Sequence, residues 1–547
     1  MNPRASLANR NARPQRRNAA IPSIGGWTAF VFLVLFIGLM IAGRERMLRD
    51  PGTFWHIVAG ERMLSDLTIL RTDPFSFSQS GQTWLAQQWL GECLMALVHR
   101  LGGLDLVLWG GVAMLATLFA WLAHRLHRAG LTVPLAVVLT ALAVGASSYH
   151  FLLRPHLASL LFMAALVVIL LDVDAGRAHP RRLLWIPTLL VAWSNTHGAA
   201  LGGLASALIV FFGWLFVPHL PVVRRWMIDP AAPRWIGAAA SLSAVAPLIT
   251  PFGPNLPATW LSLMRSQVIP QMIIEHGRPD WTSPEGAMLG VLAAVYLALL
   301  ASVARIELRV TWLLPLVWLA LAMSRVRHGP LFAVTAVLAI GDMADAIRQS
   351  SRAAAFRSRW RFAWCGVGAA QGLTLQTVRA PRTAWTAAII LVALSAVLKT
   401  AGASVPVIGA NWARVSDRNW PVAAVEAARR TARSIQRDAD SACGGREPVR
   451  VFNDLGFGGY LIYFAPELPV YIDDRCELYG DAGLRRYREV VSHPELFVGL
   501  ADYDGIDLAI VRRNTKLDRH LAERSNWQSV HTDDVAAVYR RGPVIRP

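Results

Sequence analysis

The sequence predicts a polytopic α-helical membrane domain followed by an exported α/β domain, and three observations predict it. Hydrophobic residues make up 54% of the 547 positions, charged residues only 16%, and the mean hydropathy is +0.38, which is too apolar for one soluble globule of this length. The apolar residues gather into eleven segments, near 26–43, 104–123, 132–149, 156–173, 183–195, 198–217, 235–252, 286–304, 310–324, 329–344 and 385–403. A bilayer core takes about 17 to 25 such residues to cross. From about Ser404 onward the pattern changes to short strand-like and helical runs with 20 basic and 20 acidic residues.

Each element follows from local pattern. The fifth, seventh and ninth apolar segments are short or punctuated and also suit half-spans or re-entrant elements. Arg4, Arg10, Arg13, Arg16 and Arg17 precede the first segment. That segment exceeds a usual signal-peptide core and lacks a small-x-small cleavage site, so it reads as an uncleaved anchor. With the N-terminus cytoplasmic, the inside segments hold 22 Arg and Lys, and the outside segments before Ser404 hold 11 over a comparable length. The positive-inside rule then gives an N-in, C-out protein, and the expected setting, which the resemblance below supplies, is a bacterial inner (cytoplasmic) membrane. The expected organisation is a cytoplasmic basic tail 1–25, a transmembrane domain 26–403 with a large first exported loop 44–103, and a soluble exported domain 404–547. All of the +18 net charge lies in the membrane half, so it reflects anchoring against anionic lipid and not nucleic-acid binding.

Within the first loop, Trp84 to Leu101 has helical apolar spacing that suits an interfacial helix. The linker from about Asp345 to Arg382, rich in Arg, Ala and Ser, is expected on the inner membrane surface. The last domain combines strand-like runs at Val449–Phe452, Pro469–Ile472, Ile506–Val511 and Val535–Tyr539 with helical runs at Trp420–Gln436, Gly483–Val491, Glu495–Asp502 and Lys516–Ser525, an α/β pattern. Cys443 and Cys476 fall there, and a disulfide or two buried thiols both remain open. The glycine-rich stretch Asn453–Tyr460 follows the first strand. An exported setting excludes a dinucleotide site.

With this topology the unusual polar residues fall on one side: Asp50, His56, Glu61, Asp73, Gln87, Gln88 and Glu92, then His150, Arg154 and His156, then Trp193 to Gly198 with Asn195 and His197, then Glu275 and His276, then Arg325, Arg327 and His328. Ionisable groups at spans are costly unless they serve a cavity or the interface. Asp50, at the exit of the first span, suits a general base and equally suits a helix cap or turn before Pro51-Gly52. Glu275 is a second candidate base. Arg154 and Arg325 suit a carrier phosphate, because a guanidinium binds phosphate with two parallel hydrogen bonds. His156, His197 and His328 can donate to the same group.

The stretch Asp50 to Gly60, then Arg71 to Ser76 and Trp84, then Trp193 to Gly198, and then Gly458-Gly459-Tyr460 with Asp473-Asp474-Arg475 together resemble the GT-C superfamily of polyprenyl-phosphate-dependent membrane glycosyltransferases. There is a more distant resemblance to oligosaccharyltransferase catalytic subunits. The resemblance implies that Asp50 is the catalytic first-loop aspartate. It also implies that the stretch from Asp454 to Asp474, with Tyr460, Asp473, Asp474 and Arg475, lies near an acceptor, and that His56, Asp73 and Asn195 line the substrate site. Its implied partners are a polyprenyl-phosphate-linked sugar, membrane lipid, and an exported glycan, lipid or protein acceptor. Two departures matter. There is no Trp-Trp-Asp-Tyr-Gly motif, which argues against protein N-glycosylation. There is also no Asp-x-Asp pair near Arg154 and no Cys/His spacing for a metal, so the cofactor stays unassigned. The leading expectation is an inverting transfer of one sugar from its lipid carrier. The alternatives are a polymerase or ligase of lipid-linked glycans, or a non-enzymatic transporter or scaffold; a transporter would carry ionisable groups at mid-span.

Overall fold

A computed structural model describes residues 26–216, 232–304, 306–350, 382–402, 411–441 and 448–542. The tail 1–25, most of the linker 345–382 and Cys443 lie outside the described residues; Cys476 is buried.

The chain runs through α1 (Gly26–Arg46), α2 (Pro51–Asp66), α3 (Trp89–Arg128), α4 (Val133–Ser148), α5 (Leu157–Asp174), α6 (Trp185–Thr196), α7 (Ala200–Phe216), α8 (Ala232–Val245), α9 (Asn255–Arg265), α10 (Ile269–Met272), α11 (Pro284–Val303), α12 (Leu314–Ser324), α13 (Gly329–Gln349) and a further helix, Arg382–Thr400. Every one of the eleven apolar segments is therefore helical. Among the described residues, five runs are long and apolar enough to cross a membrane: α1, α3, α5, α11 and Val326–Gln349. The three punctuated segments form the short helices α6, α8 and α12, of 12, 14 and 11 residues. Proline sets two of these limits. Pro247 ends α8 in a 3-10 turn, and Pro315 opens α12, where no N–H is needed.

Burial separates centre from rim. The apolar stretch of α13 is 89% buried, against 33% for α1, so α13 forms the axis of the bundle. Phe30, Val34, Ile37 and Ile41 of α1 and Ile389, Ile390, Leu391 and Leu394 of the last helix point outward. An apolar girdle of this kind suits lipid as solvent, and the bundle is a membrane helical domain. Trp385 Nε1 donates to Thr28 Oγ1 at 3.1 Å and joins the two rim helices, and Trp109 Nε1 of α3 donates to Ser395 Oγ at 3.0 Å and ties the last helix to α3.

The first loop differs from expectation in where its helix begins. Its opening residues form the helix α2 within the predicted loop 44–103. The helix expected from Trp84 begins at Trp89, breaks where Gly102 and Gly103 leave helical geometry, and is followed directly by the next apolar helix, which runs to Arg128. Residues before Trp89 are diverted because Thr72 pairs with Thr83 and Trp84 N donates to Arg71 O.

The C-terminal part holds a four-stranded sheet, β1 (Val451–Asn453), β2 (Leu508–Arg512), β3 (Trp527–Thr532) and β4 (Ala536–Arg541), in the order β1-β2-β4-β3. Strand β1 is parallel to β2 and the other pairs are antiparallel. Side chains alternate between its faces. Val451, Leu508, Ile510 and Val538 share a core with Trp420, Ala424 and the first-loop residue Phe54, while Phe452, Ala509, Val511 and Tyr539 pack with Tyr487, Phe497 and Leu521. The expected strand at Pro469–Ile472 is reduced to single bridges from Val470 to Val451 and to Ser76. Strand β3 was not expected, because its polar, largely exposed residues carry no alternating apolar signal.

The helix Gly458–Phe464 docks against the start of α2. A Cβ added at Gly459 would lie 2.1 Å from Pro51 O, and one at Gly458 would lie 2.3 Å from Ile472 O, so the Gly-Gly pair is a steric requirement of that contact. Gly459→Ala should therefore cost about 1–3 kcal/mol by overpacking against backbone. A purified variant with an unchanged melting temperature would contradict this.

Candidate active site

Asp50 lies between α1 and α2 and caps the latter. Its backbone is extended (φ −106, ψ 125), a carboxylate oxygen accepts from Thr53 N at 3.2 Å, and Pro51 fills the first helical position. The same carboxylate takes both arms of the Arg154 guanidinium, Nε on Oδ2 and Nη2 on Oδ1. Gly52 makes this approach feasible, since a Cβ there would lie 2.4 Å from Arg154 Nε. Arg154 sits in the turn between α4 and α5, which Leu153 N ties to Met47 O at 3.1 Å. Its Nη2 also reaches Asp474 Oδ2 at 3.0 Å, and Asp474 Oδ1 accepts from Trp55 Nε1 at 2.8 Å.

Three distant stretches thus meet on one guanidinium. The Asp50 and Asp474 side chains are 6% and 9% exposed and that of Arg154 is 23% exposed, so the cation is the member that opens outward. Burial pushes the Asp50 carboxyl up against the pull of Arg154. Burial, with the charges of Asp50 and Asp473, overcomes the same pull at Asp474 and pushes it up to about 7. Arg154 holds its proton more tightly than a free guanidinium, because Asp50, Asp474 and Glu275 outweigh its own burial.

Glu275 and His276 lie in a short 3-10 turn beside this group. His150 Nδ1 is 3.7 Å from Glu275 Oε1, Arg327 Nη1 is 2.6 Å from His276 Nε2, and Val326 N donates to Gly277 O at 2.8 Å. Burial pushes Glu275 up, but His150, Arg154 and Arg327 bring it down to about 2. The rings of His150 and His156 are 4.2 Å apart and those of His156 and His197 6.0 Å. Burial lowers His150 and His276 to about 4 and His197 to about 3, so these rings are neutral at pH 7. Among the described residues, the Nδ1 atoms of His150, His156 and His276 are buried without a hydrogen-bond partner. Buried polar atoms are normally paired, so these three are available to a ligand. His197 differs: its Nδ1 is 3.0 Å from Ser159 Oγ, which accepts from Trp193 Nε1. Arg325 is partly buried beside Val326, and His328 rests its ring 5.9 Å from Trp318.

The remaining expected site residues are committed within the protein. His56 Nδ1 is 2.9 Å from Glu92 Oε1, with both side chains at 2% exposure or less. Asn195 accepts from Trp89 Nε1 and donates to Val191 O and Ile249 O. Tyr460 stacks on Trp420 at 5.3 Å. Arg475, fully buried, binds Asp473 through Nε and Nη2 and Asp73 through Nη1 at 2.7–2.8 Å, between the rings of Phe75 and Trp84. These groups shape the site from behind. Sequence reasoning did not find Trp55 as a partner of Asp474 or Glu92 as a partner of His56. The Asp-Pro-Gly helix-start signal at residue 50 would have put Trp55 and His56 on a helix, but not their partners. No group of three or more His, Cys, Asp or Glu residues is arranged to hold a metal ion among the described residues.

No protein-family model matches the chain, nor does any of the curated proteins compared. Solved structures do match. The chain is similar to the apo oligosaccharyltransferase of Archaeoglobus fulgidus, with a TM-score of 0.54 and 11% identity over 89% of this chain and 69% of that one. It is similar as well to oligosaccharyltransferase AglB from the same organism in complex with an inhibitory peptide and a dolichol-phosphate, with a TM-score of 0.50 and 10% identity over 95% and 75%. ArnT of Cupriavidus metallidurans bound to undecaprenyl phosphate aligns at a TM-score of 0.43 with 15% identity over 93% and 97%. At such identities the fold is what is shared. It is the fold of these oligosaccharyltransferase structures, in keeping with the resemblance read from the motifs.

Proposed function

We propose that the protein is a bacterial inner-membrane glycosyltransferase that moves a sugar from a polyprenyl-phosphate carrier to an exported acceptor, with the N-terminus inside and the region 404–547 outside. The observation that carries this reading is the fork of Arg154 across Asp50, with Asp474 as a third member and three unpartnered histidine nitrogens beside it. The dolichol-phosphate bound to AglB supports a lipid-phosphate ligand for the shared fold.

In this reading the carrier phosphate competes with both carboxylates for the Arg154 guanidinium. Once Arg154 turns to the phosphate, Asp50 is free to accept a proton. The acceptor oxygen forms a bond to the anomeric carbon as the bond from that carbon to the phosphate oxygen breaks. The electron pair leaves on the phosphate, steadied by Arg154 with Arg325 and Arg327, and the acceptor proton passes to Asp50, inverting the anomeric centre. Glu275, held at about 2, is too weak a base for this task and serves as counter-charge to Arg154 and Arg327. Asp73, Asp473 and Arg475 hold the first loop against the C-terminal part, while Asp474 tunes Asp50.

The test is Arg154→Lys. Lysine keeps the charge but loses the two-pronged contact, so polyprenyl-phosphate affinity of the purified variant should fall about ten- to hundredfold, the range of a lost hydrogen bond to a charged group, with expression and insertion retained. Equal binding by wild type and variant would remove Arg154 from the carrier site.

A further inference from the structure

A second charged cavity lies at the opposite end of the bundle. Helix α4 ends at Ser148, just before Arg154, and α5 leads away from it for 18 residues to Asp174, a length of about 27 Å. There, α3, α5 and α13 enclose about 380 Å³, with Arg125 and Arg128 on the α3 wall and Asp172, Asp342 and Asp345 opposite.

The three carboxylates already have cations. Asp342 meets Arg177 Nη2 at 2.5 Å and Arg309 Nη1 at 2.8 Å, and accepts from Trp312 Nε1 at 2.7 Å. Asp345 takes Arg348 at 2.6 Å and Gln349 at 2.8 Å, and Asp172 takes Arg177 Nε at 3.0 Å. Arg125 and Arg128 make no ion pair among the described residues. The Arg125 guanidinium is steadied over the Trp121 ring at 5.4 Å, and the neighbouring His124 Nδ1 is buried without a hydrogen-bond partner. The wall therefore presents two guanidinium forks that no carboxylate reaches at ion-pair distance among the described residues, and one imidazole nitrogen without a hydrogen-bond partner, to a cavity within the size range of small-ligand sites. Two forks on one concave wall match the tetrahedral oxygens of a phosphate better than a single carboxylate.

We propose that this cavity binds a phosphate-bearing anion, either the headgroup of an anionic phospholipid or a soluble phosphate. The site is separate from Arg154 and requires nothing of the reaction there. To test it, the full-length protein is placed in nanodiscs of phosphatidylglycerol or phosphatidylcholine, with and without inorganic phosphate. Dicarbonyl labelling of Arg125 and Arg128 is then read by mass spectrometry. Phosphatidylglycerol should protect both arginines several-fold relative to phosphatidylcholine if the ligand is a lipid, and inorganic phosphate should do so in phosphatidylcholine if it is soluble. Retention of phosphatidylglycerol, or binding of phosphate, should fall about tenfold or more in Arg125→Gln/Arg128→Gln, as expected when hydrogen bonds to a charged group are lost. Equal labelling in all four conditions would overturn the proposal, and because that reading uses the wild-type protein it stands even where the double variant does not fold. Undiminished ligand retention by a folded double variant would overturn it as well.

Discussion

Asp50→Asn should lower transfer about 10²- to 10⁴-fold, the usual contribution of a general base, while the protein folds and inserts normally. Asparagine caps a helix as well as aspartate does, so the contact with Thr53 N survives. Arg154 keeps Asp474 at 3.0 Å, so its charge is not left without a partner. Loss of a cap alone costs about 0.5–2 kcal/mol of stability and leaves the rate alone, so transfer and melting temperature separate the two roles of Asp50. The measurement is transfer from a polyprenyl-phosphate sugar by purified protein. Retention of most of the wild-type rate would move the base to Asp474. The pH profile adds a second check. A carboxyl pushed up to about 7 at Asp474 loses its proton as pH rises through that value, so wild-type kcat/KM should climb between about pH 6 and 8. Removing the Asp50 charge, one of the influences that raise Asp474, should shift the limb of any residual activity to lower pH. A flat wild-type profile there would argue against a titrating pair.

Arg475→Met should be the most damaging substitution for the fold. Arg475, Asp73 and Asp473 have fully buried side chains, and the guanidinium lies 5.0 Å and 4.6 Å from the ring centres of Phe75 and Trp84. Removing the cation strands two carboxylates in the interior, a change that costs about 3–5 kcal/mol when one partner of a buried pair is lost. Thermal unfolding in detergent and protease sensitivity of the segment 71–84 should both register it. Adding Asp73→Asn and Asp473→Asn to the same variant should recover part of the loss, because the stranded charges are then gone. A single variant that melts with the wild type would show that this cluster does not hold the first loop to the sheet.

Much of the architecture was legible because it is written in local pattern. Apolar runs long enough to be helices, the prolines that shorten α8 and α12, and the alternating runs that became β1, β2 and β4 all act within a few residues, where hydrophobic period and turn chemistry determine the outcome. The polar residues of the loops around Asp50, Arg154 and Glu275 were legible as a group for the same reason, since each stood at the end of an apolar run. Asp50 was legible both as cap and as candidate base, and the structure has it capping α2 while it faces Arg154.

The pairings were not legible. Arg154 meets Asp474 across 320 residues and Arg475 meets Asp73 across 402, and no local period records which of many carboxylates will reach a given guanidinium. Asp473 and Asp474 are neighbours in the chain, yet one is sealed in a structural cluster and the other shares the cation of the site. Their partners separate their roles: Arg475 and Tyr479 hold Asp473, and Arg154 and Trp55 hold Asp474. By itself, the sequence determined the helices, the strands with strong alternation and the stock of charged groups. The tertiary structure decided which charges neutralise one another and which stay open, because burial and ion pairing depend on contacts between segments that only the packed chain brings together.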